Sequence, residues 1–124
     1  MVANHLGDQH WLMKDIPAPD WIHHYPNFKQ TSYRTGVPSD PYASDNDSKT
    51  MTDGWFVAWM PDINQNNPIF AKYLIQNSLF WIEYAGIDGI RMDTYPYPDK
   101  DFMALWAKRY SPSTQLLTLW ANLG

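Results

Sequence analysis

Arg91 and Asp93 stand two residues apart in the stretch GIRMD. On an extended strand that spacing puts both side chains on one face, roughly 6–7 Å apart at Cα. A guanidinium placed there favours the ionised carboxylate and orients it. An ionised, oriented Asp at the rim of a sheet can attack an electrophilic carbon. A structural Arg–Asp pair has the same spacing, so RxD alone does not separate the two. Asn4 and His5 close a second apolar run, MVANH, and supply an amide and an imidazole at another strand end. Chemistry at these positions needs elements that bring two strand ends side by side.

The alternation of the chain supplies such elements. NPIFAKYLIQNSLFWIEYAG reads as a helix, with Asn67 as N-cap, Pro68 in the first position and Gly86 as terminator. Phe70, Leu74 and Trp81, and in parallel Tyr73, Phe80 and Tyr84, recur at helical spacing. IDGIRMD follows as a short strand, with Ile90 and Met92 facing one way and Arg91 and Asp93 the other. PDKDFMALWAKRY reads as a second helix, with Phe102, Leu105, Trp106 and Tyr110 on its apolar side. Between residues 7 and 66 the pattern is irregular and rich in Pro, Asp, Asn and Ser, with short strands expected at TSYRT and GWFVAWM. A segment this long with little regular structure is normally an excursion that carries function. The order strand end, excursion, helix, strand, helix is that of an α/β protein with parallel strands, where reactive residues stand at the C-terminal strand ends.

Composition narrows the partners. The 124 residues carry a net charge of −4 and no basic cluster, which argues against nucleic acid. Cysteine is absent, so there is no disulfide framework and no thiolate metal site. No run is apolar and long enough to span a membrane, and no signal peptide is visible. Aromatic residues make up 16%, enough for either a Trp-rich core or a surface on which sugar rings stack.

VANH at a strand end, MPDINQNNP before a helix and GIRMD on the next strand occur in an order and spacing that strongly resemble the α-amylase superfamily of retaining glycoside hydrolases. The similarity is greatest to its cyclomaltodextrinase/neopullulanase branch, on DPYAS, MTDGWFVAWMPDINQ and GIDGIRMDTYPYPDKDFM, and covers nearly all of residues 1 to 110. The resemblance implies a fragment of a TIM (β/α)8 barrel: residues 1–6 the end of strand 3, 7–66 the inserted domain B, and 67–110 helix 3, strand 4 and helix 4. It implies cleavage of α-glucosidic bonds in malto-oligosaccharides, cyclodextrins or pullulan, with an α-glucan oligosaccharide or polysaccharide as partner.

By the same resemblance Asp93 is the nucleophile, Arg91 holds its carboxylate, and His5 hydrogen-bonds the sugar. Asp62 and Asn64 belong to a motif linked to substrate preference. Many amylases carry Lys-His three and four residues after the nucleophile; here those residues are Pro96 and Tyr97, which fits the oligosaccharide-cleaving branch and puts Tyr97 on the substrate side. No cofactor is required. Asn4 matches a calcium-holding residue of many amylases, although a structural hydrogen bond is the plainer role for it. His10, His23 and His24 show no ligand spacing, Trp55, Phe56 and Trp59 read as packing, and Asp45 and Asp47 read as a solvated turn. The compartment is not fixed by the sequence; the resemblance points the parent enzyme to the periplasm or outside the cell.

A retaining glycosidase needs a second carboxylate as acid/base. The family takes it from a later strand, and the only glutamate here, Glu83, sits within the expected helix. The chain therefore reads as a fragment of a larger enzyme, inactive alone, with a sugar-binding piece without turnover or a non-functional fragment as alternatives. The tail, residues 111–124, departs from the family pattern. Back-translation allows a Val-Gly-Glu-x-Trp one frame away, so a frameshift near residues 110–112 is expected.

Overall fold

The computed structural model describes residues 1–110. The expected frameshifted tail lies outside the described residues.

Two helices form where the sequence places them. The longer runs over Pro68–Ala85, and the Asn67 side chain accepts hydrogen bonds from the Ile69 and Phe70 amides at its N-terminus. It ends at Gly86, which takes the left-handed conformation (φ 60°, ψ 37°) that costs a residue without Cβ least. The second covers Lys100–Tyr110. Asp99 caps it by accepting from the Phe102 amide at 2.8 Å, and Lys108 and Arg109 complement its last turn. Shorter helical stretches lie upstream. In chain order the four α-helices among the described residues are α1 (Trp11–Lys14), α2 (Asp45–Thr52), α3 (Pro68–Ala85) and α4 (Lys100–Tyr110). Single 3-10 turns occupy Pro19–Trp21 and Val37–Ser39.

α3 buries Phe70, Leu74, Ile75 and Ser78, and α4 buries Phe102, Met103, Trp106 and Tyr110. Two polar contacts between the helices fix the register of the pair, and a third within α3 orients one of them. Trp106 Nε1 donates to Ser78 Oγ at 3.1 Å, Ser78 Oγ donates to the Leu74 carbonyl at 2.9 Å, and the Tyr110 hydroxyl donates to the Ile75 carbonyl at 3.0 Å. Leu105, expected on the apolar side of α4, is instead 43% exposed, and Met103 takes the inward place. Trp81, Tyr73, Phe80 and Tyr84 also stay exposed. The apolar residues of α3 spread over more than one stripe, and only one of these faces meets α4.

Between the helices Ile90 and Met92 point inward while Arg91 is exposed, as the alternation predicts. The expected strands do not form as ladders. Among the described residues pairing is confined to isolated bridges: Val2 with Asp93 (parallel), His5 with Asp62 and Ile22 with Ile63 (antiparallel), and Gln30 with Trp55 (parallel). TSYRT and GWFVAWM thus share one backbone bond, from Thr31 N to Trp55 O (2.9 Å), next to that from Trp55 N to Lys29 O (2.8 Å). A strand is defined by its neighbours. Among the described residues, the backbone of residues 87–93 pairs only with Met1 and Val2, through the Asp93 amide on the Met1 carbonyl (2.8 Å).

Residues 7–66 have no core of their own. Leu12, Trp21, Ile22, Trp55 and Ile63 join Phe70, Leu74, Met92, Phe102 and Trp106 in one cluster. The Trp21 ring stacks on Phe70 at 4.6 Å. Gly54 is needed where the excursion folds back, because a Cβ there would lie 2.3 Å from Thr31 Cα. Gln65, buried at 3% exposure, donates to the Ala3 carbonyl (2.8 Å) and accepts from the Asp99 amide (3.1 Å). One amide therefore ties the N-terminal segment, the end of the excursion and the approach to α4. Asp45 and Asp47 are exposed, as expected, but stand in a helix rather than a turn. They open α2, where Ser44 Oγ accepts from the Asp47 amide and donates to its carboxylate. No helix among the described residues is long and apolar enough to cross a membrane.

Candidate active site

The N-terminal segment lies between two others. On one side is Asp93, through the Val2 bridge. On the other are residues 61–63, through Leu6 N to Pro61 O (3.0 Å) and Ile63 N to Asn4 O (2.8 Å). This brings His5 close enough to Asp93 for the carboxylate to raise the proton affinity of the imidazole. Burial acts the other way and dominates, so the His5 pKa is lowered. A neutral imidazole results, with Nδ1 buried and not hydrogen-bonded. The chain turns sharply after Asp93. Thr94 adopts a left-handed backbone (φ 52°), uncommon for a β-branched residue and costly enough to be held by its surroundings. The Tyr97 amide closes this turn onto the Thr94 carbonyl at 3.0 Å.

Aromatic rings complete this side. Phe56 meets His5 edge-on at 5.2 Å and Tyr97 edge-on at 4.6 Å, and Tyr33 stacks on its other side at 5.9 Å. The Tyr33 hydroxyl donates to the Phe56 carbonyl. Burial, and then the neighbouring Tyr33, raise the Tyr97 pKa.

A second polar cluster adjoins it. Asp62 is wholly buried (0% exposed) and binds His23 Nδ1 through Oδ2 at 2.7 Å. Burial raises its pKa to about 7, against the opposing pull of the His23 imidazole and a smaller one from Asn4. Burial would make His23 neutral, but its bond to Asp62 and the charges of Asp62 and Asp53 outweigh it and raise its pKa. Asp53 stands 3.8 Å from His23 Nε2, and Trp55 Nε1 donates to the His23 carbonyl at 2.7 Å. Asn4 is 1% exposed, and neither of its amide atoms closes a hydrogen bond of good geometry, although it lies beside Asp62.

The sequence expectations separate accordingly. His5, Asp93 and Tyr97 come together. Arg91 does not join them: it is exposed, and among the described residues no ion pair links it to Asp93. Strand alternation alone does not hold a guanidinium on a carboxylate where the strand has no continuous ladder. Asp62 is sealed in the interior, so its carboxylate is not presented for direct contact with a sugar. Asn64 is half-buried and committed to the backbone, donating to the Asp20 carbonyl (2.8 Å) and accepting from the Asn66 amide (3.0 Å). The structural role expected of Asn4 is met in position: its buried side chain lies beside the Asp62 carboxyl and lowers its pKa, without closing a hydrogen bond of good geometry. The calcium expectation fits poorly. Calcium takes six to eight oxygen ligands, whereas Asn4 has beside it one carboxylate already bonded to His23, and no cluster of three or more acidic or imidazole groups suited to a metal occurs among the described residues.

Neither His23 nor Phe56 stands out in the sequence as a site residue. Nothing in spacing links residue 23 to residue 62. The available signal is local: His23 directly follows the apolar Trp21-Ile22 pair, as Asp62 precedes Ile63, and each polar residue enters the interior with its apolar neighbour. Trp55 is buried as expected, whereas Trp59 is 60% exposed.

No family model matches the chain. An intracellular maltogenic amylase of Bacillus subtilis is 33% identical over 94 residues, covering 74% of this chain and 14% of the relative. A cyclomaltodextrin glucanotransferase of Klebsiella oxytoca is 43% identical over 47 residues, covering 38% of this chain and 7% of the relative. The crystal structure of an α-amylase from Geobacillus thermoleovorans complexed with acarbose superposes with a TM-score of 0.65 at 33% identity, over 87% of this chain and 21% of that one. The chain thus spans less than a quarter of the length of each. The likeness agrees with a fragment of a TIM-barrel enzyme. The chain belongs to the α-amylase family of glycoside hydrolases, of which it represents a fragment.

Proposed function

We propose that this chain carries the nucleophile side of a retaining α-glucan hydrolase site. Asp93 attacks the anomeric carbon. His5, kept neutral by burial, hydrogen-bonds a hydroxyl of the sugar in the cleavage position, and Tyr97 lines the side on which the leaving sugar departs. Arg91 turns toward Asp93 only when the strand is paired along its length. Asp62 and Asn64 act from within, by shaping the segment that borders the cleft. The N-terminal segment and residues 87–93 correspond to the third and fourth barrel strands, and residues 7–66 to the domain inserted between them. Substrates are malto-oligosaccharides, cyclodextrins or pullulan. The observation that carries the proposal is the meeting of His5 and Asp93 at the ends of two parallel-bridged segments. The acid/base is a carboxylate from outside this chain, because Glu83 lies exposed on α3. Alone, the chain hydrolyses no natural glycoside.

An activated donor tests this without the missing acid. With α-maltosyl fluoride, the anomeric C–F bond breaks, fluoride leaves with the bonding pair, and an Asp93 oxygen forms the ester. Peptide mass spectrometry should find one added maltosyl group on the peptide holding Asp93, and none in Asp93→Asn. Labelling elsewhere, or equal labelling of both proteins, overturns the assignment. The absence of an acid/base favours a second reading, sugar binding without turnover. That reading predicts saturable maltoheptaose binding with no adduct.

A further inference from the structure

Among the described residues, Phe56 alone makes ring contacts with both walls of the candidate site. His5 comes from the N-terminal segment and Tyr97 from the turn after Asp93, and no ring contact joins those two directly. Phe56 lies edge-on to each, at 75° to the imidazole and 80° to the phenol. Such contacts set orientation as well as distance, because the positive ring edge seeks the negative ring face. The ring is itself held. Tyr33 stacks parallel to it (11°) while donating to its carbonyl, and Gln30 Nε2 donates to the Tyr33 hydroxyl at 3.3 Å. Behind it, Gly54 and Trp55 are locked against Thr31 by the close approach and the two backbone bonds described above. Phe56 is only partly buried and lies outside the main apolar core, so its ring is not required for core packing.

We propose that Phe56 is a positioning residue that clamps His5 and Tyr97 into one wall beside Asp93, with Tyr33 as its backing, and so fixes where a glucosyl ring is held. The role rests on the assignment of His5 and Tyr97 to α-glucan binding. On this reading the excursion delivers one rigid ring between two elements whose rings do not otherwise touch.

The test uses the full chain and two readouts. The first is the NMR shifts of the His5 and Tyr97 ring protons, which lie within reach of the Phe56 ring current. The second is the dissociation constant for maltoheptaose. In Phe56→Leu the His5 and Tyr97 signals should move together while those of His23 stay, and maltoheptaose binding should weaken about tenfold. Phe56→Tyr, which keeps the ring, should restore both. Tyr33→Phe, which removes only the hydroxyl, should shift both signals in the same direction by less. Unmoved His5 and Tyr97 signals in a folded Phe56→Leu protein overturn the clamp, as does unchanged affinity where the wild type binds. Should the wild type bind no maltoheptaose, the α-glucan assignment falls, and the NMR shifts alone decide whether the clamp exists. Should Phe56→Leu fail to fold, the comparison of wild type with Tyr33→Phe decides: equal His5 and Tyr97 shifts reject the clamp.

Discussion

The buried pair of Asp62 and His23 makes the stability of this chain depend on pH in an unusual direction. In the unfolded chain Asp62 loses its proton near 3.8, whereas in the folded chain burial holds the proton up to about 7. Across that window the native state binds one proton more, so stability is fully present below about pH 4 and falls as pH rises through 7. Three pH units at about 1.4 kcal/mol each give a loss of up to about 4 kcal/mol. The raised pKa of His23 continues the fall above pH 6.5, because the native imidazole keeps a proton that the unfolded one has released. Urea unfolding followed by tryptophan fluorescence at pH 4.5, 5.5, 6.5 and 7.5 measures it. Asp62→Asn, which keeps the shape and cannot ionise, provides the baseline that cancels all other carboxylates. Wild type should lose stability relative to Asp62→Asn with rising pH. A difference that is flat, or that moves in favour of wild type as pH rises, refutes the reasoning. His23→Ala sharpens the test. It should cost about 3–5 kcal/mol at pH 8, where an unpaired buried carboxylate remains, and much less at pH 5.

Other substitutions probe the frame. Trp106→Ala empties a wholly buried site and cuts the bond to Ser78, and should cost about 3–5 kcal/mol in the same urea assay. Asn67→Ala removes the cap of α3 and its bond to Asp20 (2.9 Å), for about 1–2 kcal/mol and a fall in helical circular dichroism. Gly54→Ala forces a methyl onto the Thr31 backbone, and should cost about 1–3 kcal/mol and shift the Tyr33 and Phe56 ring signals.

Local chemistry made α3 legible from its first residue to its last. Asn67, Pro68 and Gly86 act on groups within a few positions of themselves, so no distant partner was needed to read them. The alternation of Ile90 and Met92 against Arg91 was legible for the same reason. Strand formation was not, because a ladder depends on what lies alongside, and among the described residues that is Met1 and Val2. The meeting of His5 with Asp93 followed from a resemblance in motif order. The fate of Asp62 did not: a carboxylate in a motif linked to substrate preference lies buried, bonded to His23, 39 positions earlier. Phe56 was hidden by its company, since GWFVAWM offers several aromatic residues and no pattern that says which one faces the site.

The Gln65 amide has a consequence for evolution and for dynamics. It needs a donor toward Ala3 and an acceptor toward Asp99 at the same moment, and of the residues of its length only glutamine supplies both without having to bind a proton. Glutamate would set a carboxylate against a carbonyl, and methionine would leave two buried groups unpaired. Three segments therefore share one point of failure. Amide hydrogen exchange at Asp99 should be governed by the same opening event as exchange around Ala3, so that the two borders of the site come apart as a unit rather than fraying one after the other.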